Sequence, residues 1–212
     1  THIVFDLDDT LYKEIDFVKS SYIYINNFIN KRYKIDLSSE IESCLKHKIS
    51  FYDCVKIKFP EVKDFTLQKY LELYRFHCPS ISLSADVSAF ISKILEFNLE
   101  FSIITDGRSI SQRNKIESLG ISQIVKNVIV SEETGYEKPH LNNFKLLNEI
   151  YPDKNFVYIA DNTSKDFLAP NILKWDSICI LDNGQNIHKQ NFALEKKFMP
   201  KKIIESFKEL ML

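Results

Sequence analysis

The stretch "FDLDDTL", residues 5–11, closes an apolar run that begins at Ile3 and sets three aspartates within four positions. Apolar residues leading into clustered carboxylates describe a buried strand that ends in an acidic loop. Asp6 and Asp8 are two apart, so near a strand end they lean to the same side while Leu7 turns to the core. Carboxylates that repel one another at the end of a buried strand need a partner, and the rest of the chain must supply it.

Four further stretches have the same apolar character as His2–Asp6: Phe101–Thr105, Val128–Ser131, Phe156–Ala160 and Ser177–Leu181. None alternates cleanly, which predicts burial on both faces, as in a parallel sheet. Helical patterns separate the later ones. Ser109–Leu119 stops before Gly120, a suitable C-terminal cap, and Asn142–Ile150 stops before Pro152. Lys201–Met211 is expected to form a closing amphipathic helix. Strand and helix alternating from residue 100 onward predict right-handed crossovers and an α/β layer fold. Residues 13–84 break the rhythm. Phe17, Tyr22, Ile25, Phe28 and Ile29 recur at helical spacing, as do Leu67, Tyr70, Leu71, Tyr74 and Phe76, and Pro60 and Pro79 punctuate the stretch. The expected architecture is an α/β layer core around a parallel sheet, with several helices inserted between the first and second strands.

Bulk properties narrow the function. The 212 residues suit one domain with a modest insertion. A net charge of -1 provides no basic excess for binding nucleic acid. No apolar run reaches the ~18 residues of a membrane span, and the residues ahead of the first strand lead to no expectation of a secretory leader. Cys44, Cys54, Cys78 and Cys179 show no CxxC pairing, which suits reduced thiols in a cytoplasmic protein. The five histidines are scattered, without HExxH, so zinc is not expected, and neither GxxxxGK[ST] nor GxGxxG occurs.

In an open parallel sheet, ligands bind beyond the carboxyl ends of the strands. Those ends are polar here: Asp6-Leu7-Asp8-Asp9-Thr10, Thr105-Asp106-Gly107, and Ala160-Asp161-Asn162 followed by Asp166. Glu137-Lys138-Pro139 lies between the third and fourth strands. Gly is rare in the chain, so Gly107 and Gly135 at such loops are candidates for positive φ or close approach to a ligand. If Asp6, Asp8 and Asp161 meet at about 5 Å, each pair repels by roughly 3 kcal/mol at an effective dielectric of ~20. A hard divalent cation offsets that cost, and all-oxygen ligation suits Mg²⁺. Lysine, hydroxyl and backbone N–H groups beside a carboxylate nucleophile are the parts of phosphoryl transfer.

Together these stretches resemble the four motifs of the haloacid dehalogenase superfamily, most closely its phosphatases. "FDLDDTL" is similar to the first motif, DxDx[TV]. "IITDG" is similar to the second, Lys138 in "EKP" to the third, and "IADNTSKD" to the fourth, GDxxxxD, with Ala160 where Gly is usual. The resemblance implies that Asp6 is the nucleophile and that Asp8 protonates the leaving oxygen and later takes a proton from water. It implies that Asp6, Asp8 (through its backbone carbonyl), Asp161 and Asp166 form the Mg²⁺ site. Thr105 and Lys138 would bind the phosphoryl group, with Asp106, Gly107 and Arg108 in the same loop beside it. Asp9 is expected to face solvent or cap a helix, and Thr10 to brace the loop. The resemblance implies a Rossmann-like three-layer α/β core with a central parallel sheet over residues 1–12 and 85–212, and residues 13–84 fall where the family carries a small all-helical cap domain that closes over the site. The implied function is Mg²⁺-dependent hydrolysis of a small phosphorylated metabolite, sugar phosphate or nucleotide-like. The alternatives are a phosphomutase of the same superfamily and a non-catalytic binding domain that keeps the fold. The dehalogenase branch works without metal and lacks the second Asp of the first motif, whereas Asp8 and Asp161 are both present here.

Overall fold

The structure, a computed structural model, describes residues 1–211. Its centre is a six-stranded sheet: β1 (His2–Phe5), β2 (Glu100–Thr105), β3 (Val128–Val130), β4 (Phe156–Ala160), β5 (Asp176–Ile180) and β6 (Lys202–Ile204). The spatial order is β3-β2-β1-β4-β5-β6, and every pairing is parallel. The chain winds outward from β1 through β2 to β3, then crosses back to place β4 on the other side of β1. That reversal creates a crevice at the carboxyl end of β1. Phe5 is level with Ile103 of β2 and Ile159 of β4. Asp6 therefore emerges between two strands that run on by two residues (β2, to Thr105) and one (β4, to Ala160), which brings Thr105 and Asp161 to its flanks.

Alternating residues of β1 serve two layers. Ile3 and Phe5 join the cluster under α5 (Ala85–Glu96) and α6 (Ser109–Ser118). Val4 joins the opposite cluster, with Phe144 and Leu147 of α8 (Asn142–Ile150) and Ala169 of α9 (Leu168–Ile172). Phe5 is fully buried and meets Phe101 and Phe90 edge-on, with centroids 5.7 and 6.3 Å away. Truncating such a side chain costs about 3–5 kcal/mol, so the residue that fixes the height of Asp6 is among the most firmly anchored in the core. A short helix, α7 (Ser131–Thr134), follows β3 directly.

Between β1 and α5 lie four helices: α1 (Glu14–Tyr33), α2 (Ser38–His47), α3 (Phe51–Lys58) and α4 (Leu67–Phe76). They bury a cluster of their own that includes Ile25, Ile29, Phe51, Val55 and Phe65. α1 begins with Glu14 and Asp16 and ends with Lys31 and Arg32, the charge order that suits its dipole. The hydroxyls of Ser50 and Thr66 cap α3 and α4 by accepting from the N–H groups of Asp53 and Lys69. Pro60 and Pro79 follow the ends of α3 and α4. Among the described residues no helix is long and apolar enough to cross a membrane.

The closing segment differs from expectation. Instead of a helix over Lys201–Met211, Lys202–Ile204 pairs with β5 as an edge strand, and Phe207–Leu210 forms one 3₁₀ turn. Ile203, Ile204, Phe207 and Leu210 mimic a helical stripe. Two adjacent β-branched residues favour a strand, and Ile204 and Phe207 reach the same core from two different elements. Ser206 and Glu209 cap the turn reciprocally, which starts it immediately after the strand.

Candidate active site

Four strand ends and loops converge at the crevice. Asp6, nearly buried, is fixed by its own N–H donating to Ile159 O at 2.9 Å. The Lys138 ammonium donates to Asp6 Oδ1 at 2.5 Å and pairs with Asp166 Oδ1 at 2.7 Å. Asp166 is fully buried. It also accepts from Tyr158 Oη at 3.0 Å and from the Asn162 N–H at 2.9 Å. One carboxylate oxygen from each of Asp6, Asp161 and Asp166 lies within 4.8 Å of the others. Thr10 Oγ1 donates to Asp6 Oδ2 at 3.3 Å and so braces the loop.

This crowding shows in the acidities. Burial, and the charges of Asp166 and Asp8, push the Asp6 carboxyl up to about 7 against the pull of Lys138. Burial and repulsion from Asp6, Asp166 and Asp9 push Asp161 up to about 9. Burial and the neighbouring Asp8 push Glu14, on the first turn of α1, up to about 8. Burial also opposes the Lys138 ammonium, but Asp166 and Asp6 outweigh it and hold its pKa well above the ordinary value. One lysine does not balance these carboxylates, and a divalent cation bound by hard oxygen donors fits the remaining deficit.

Asp8 has a separate set of partners. Lys115 Nζ of α6 lies 2.8 and 3.0 Å from its two oxygens, and Gln112 Nε2 donates to Oδ2 at 2.8 Å. Tyr12 Oη donates to Oδ1. Burial resists ionisation of Asp8, but Lys115 and these donors outweigh it and hold its carboxyl below the usual range. Gln112 Nε2 also donates to Thr105 Oγ1 at 2.6 Å. The Thr105 hydroxyl hydrogen is then free to point into the crevice.

The remaining expected residues divide. Asp106 accepts from the Lys138 N–H at 3.0 Å and from Lys165 Nζ at 2.9 Å. Gly107 and Gly135 have φ of 134° and 78°, and the Gly107 N–H donates to Ser131 Oγ. Arg108 is solvent-exposed and pairs with Glu132 at 2.6 Å, outside the wall of the crevice. Asp9 is buried, not solvent-facing. It adopts φ 58° and accepts from the N–H groups of Glu14 and Ile187, so it ties the first turn of α1 to the strap after β5 although Lys13 holds the N-cap position. Ala160 is buried in β4 opposite Cys179 without displacing Asp161 from the crevice. The resulting cavity is small, ≈ 90 Å³, and its wall joins Asp6, Asp8, Thr105 and Asp161 to Glu14, Lys165 and His188.

Residues 3–178 match the model of the haloacid dehalogenase-like hydrolase family. The chain belongs to that family. It is 31% identical over 179 residues, 77% of each chain, to the glyceraldehyde 3-phosphate phosphatase of Methanocaldococcus jannaschii. It is 23% identical over 224 residues to the protein of the same name from Methanothermobacter thermautotrophicus, covering 98% of this chain and 96% of that one. Its fold is similar to the magnesium-bound HAD hydrolase YfnB of Bacillus subtilis (TM-score 0.63, 21% identity, 99% and 96% of the two chains). The HAD phosphatase of Thermococcus onnurineus is similar in fold as well (TM-score 0.62, 19% identity, 99% and 95%).

This haloacid dehalogenase-like hydrolase carries several site residues that the motifs do not reveal. Gln112 and Lys115 sit on the buried face of α6, which consists of Ser111, Gln112, Lys115 and Ile116. A helix that follows a strand end yet lacks an apolar stripe was the available signal. Asn186 belongs to the strap after β5. Its Nδ2 donates to Asp161 Oδ2 at 2.8 Å, and its Oδ1 accepts from Lys13 Nζ at 2.5 Å. No motif marks it. Lys165 is hidden inside the fourth motif at a variable position.

Proposed function

We propose that this hydrolase cleaves a small phosphomonoester through an aspartyl-phosphate on Asp6, with Mg²⁺ as its cofactor. The observation that carries the proposal is the Lys138 ammonium seated between Asp6 and Asp166, with Asp161 beside them at one strand edge. A carboxylate nucleophile, a cation that receives anionic oxygens and a surplus of negative charge meet in one cavity. Asp6 attacks phosphorus, a P–O(Asp6) bond forms and the bond to the leaving oxygen breaks as Asp8, which takes up a proton from solvent when the anionic substrate arrives beside it, passes that proton to the leaving oxygen. Water then attacks phosphorus, its proton passes to Asp8, and the P–O(Asp6) bond breaks to release inorganic phosphate. Lys138 and the Thr105 hydroxyl hold the non-bridging oxygens throughout.

The carboxylates of Asp6 and Asp161 and the Asp8 backbone carbonyl would hold Mg²⁺, which supplies charge neutralisation for the phosphoryl oxygens. Asp166 also reaches this cluster. Its oxygens already serve Lys138, Tyr158 and Asn162, so its main part is to seat Lys138. Residues 13–84 act as the cap. A cleft of ≈ 570 Å³ runs between α1, α2 and the strap residues Gly184–Ile187. The small cavity at Asp6 and the names of the relatives favour a short sugar phosphate such as glyceraldehyde 3-phosphate over a nucleotide. Phosphate release from a panel of sugar phosphates, nucleotides and p-nitrophenyl phosphate, with Mg²⁺ or EDTA, tests the proposal. Release that depends on Mg²⁺ and is fastest with short sugar phosphates supports it. Release unaffected by EDTA, or none from any member of the panel, overturns it.

A further inference from the structure

Lys115 is only 4% exposed, and its ammonium is enclosed between the Asp8 carboxylate and the Phe17 ring, whose centroid is 4.2 Å away. Three donors on two elements converge on Asp8: Lys115 across both oxygens, Gln112 on Oδ2 and Tyr12 on Oδ1. α6 itself is pinned to the end of α4, where Ser111 Oγ donates to Arg75 O at 3.2 Å and Asn114 Nδ2 to His77 O at 3.2 Å. Burying an ammonium and an amide on the core-facing side of a helix is costly when apolar side chains would pack there. The cost gains a reason from what the groups touch. Gln112 joins Asp8 to Thr105 through one nitrogen, so the proton-transfer group and the phosphoryl-binding hydroxyl share a single rigid support.

We propose that Lys115 and Gln112 are positioning residues, which hold the Asp8 carboxylate in place beside Thr105; one of its donors gives up its lone pair when Asp8 takes the proton that it passes to the leaving oxygen. The inference rests on the reading of Asp8 as acid and base given above. Proton transfer requires the donor within hydrogen-bond reach of the leaving oxygen, and a carboxylate on a loop has two torsions free to carry it away. A clamp on a pinned helix removes that freedom.

The leaving group provides the test. An alkoxide needs its proton as the P–O bond breaks, whereas p-nitrophenolate departs without one. Values of kcat/KM are measured for Lys115→Met, Lys115→Arg, Gln112→Leu and Asp8→Asn. The substrates are p-nitrophenyl phosphate and the alkyl phosphomonoester that the panel shows to be turned over fastest. For Lys115→Met and Gln112→Leu, the loss on the alkyl phosphate exceeds that on p-nitrophenyl phosphate by ~10-fold or more, and Lys115→Arg recovers part of it. Equal losses on both substrates, no loss, or a larger loss on p-nitrophenyl phosphate overturns the inference. Asp8→Asn separates the two levels. If it shows the leaving-group dependence and the Lys115 and Gln112 variants do not, only the positioning role fails. If Asp8→Asn shows no dependence, the reading of Asp8 fails and the positioning role with it. Should Lys115→Met not fold, Gln112→Leu decides, because it leaves the Lys115–Asp8 pair in place.

Discussion

Replacing Asp161 with Asn makes the metal-free protein more stable. Burial and the charges of Asp6, Asp166 and Asp9 raise its folded pKa from 3.8 to about 9. At pH 7.5 the folded chain must hold this carboxyl protonated, while the unfolded chain ionises it freely. Each pH unit above 3.8 costs about 1.4 kcal/mol until the folded pKa is reached, which comes to about 5 kcal/mol at pH 7.5. A direct estimate agrees in scale. Carboxylate oxygens within 4.8 Å repel by about 3 kcal/mol per pair at an effective dielectric of ~20. The replacement amide still accepts from Asn186 and carries no charge, so a gain of roughly 2–5 kcal/mol follows, or about 5–15 °C in Tm for a chain of this size. The sign with pH is fixed. The penalty is absent below the unfolded pKa of 3.8 and grows as pH rises towards 9, so the advantage of Asp161→Asn is larger at pH 8 than at pH 5.5. Mg²⁺ narrows the gap: at a hundred times its Kd it stabilises the wild type by about 2.7 kcal/mol and leaves Asp161→Asn nearly unmoved. Thermal melts in EDTA and in Mg²⁺ at both pH values measure all of this. An Asp161→Asn variant less stable than wild type in EDTA at pH 7.5, or one that Mg²⁺ stabilises equally, refutes the reasoning.

Three more expectations can be checked on the same preparations. Lys138→Met leaves Asp6 and Asp166 buried without their shared cation, which costs about 3–5 kcal/mol in urea unfolding; adding Asp166→Asn recovers part of the loss, and no recovery would show that the pair is not what Lys138 stabilises. Asn186→Ala frees the Asp161 carboxylate to rotate and weakens Mg²⁺ binding about 10–100-fold by titration calorimetry; unchanged affinity would place Asn186 outside the metal's environment. Burial pulls His2 down to about 4, chiefly by desolvation, so its stabilising contribution is complete above pH 6.5 and lost as pH falls towards 4. That acid limb amounts to about 2 kcal/mol once solvent screening is allowed for and is absent from unfolding curves of His2→Gln.

Each aspartate at a strand end was legible because a buried parallel strand reads as an unbroken apolar run, and the residue that breaks the run must lie at the sheet edge. That logic puts Asp6, Thr105 and Asp161 at one sheet edge, where they lie in the structure, and Lys138 meets Asp6 and Asp166 there. It failed where periodicity is ambiguous. Ile203, Ile204, Phe207 and Leu210 satisfy a helical spacing and also a strand followed by a turn, and only the free edge of β5 decides between them. It stops short where polar residues lie on a buried helical face, since no local pattern marks Gln112 and Lys115 until Asp8 is seen against them. Arg108, expected beside the phosphoryl group from its place in the Thr105 loop, pairs with Glu132 of α7 at the surface, a contact across 24 residues that no local pattern encodes.

The account depends most on Asp6 carrying the phosphoryl group. Rapid acid quench of the enzyme turning over a radiolabelled phosphomonoester, followed by peptide mass spectrometry, tests this directly. Label on the peptide containing Asp6, absent from Asp6→Asn and lost on chase with water, is the predicted result. Label on another residue, or turnover by Asp6→Asn at a rate near wild type, would contradict it.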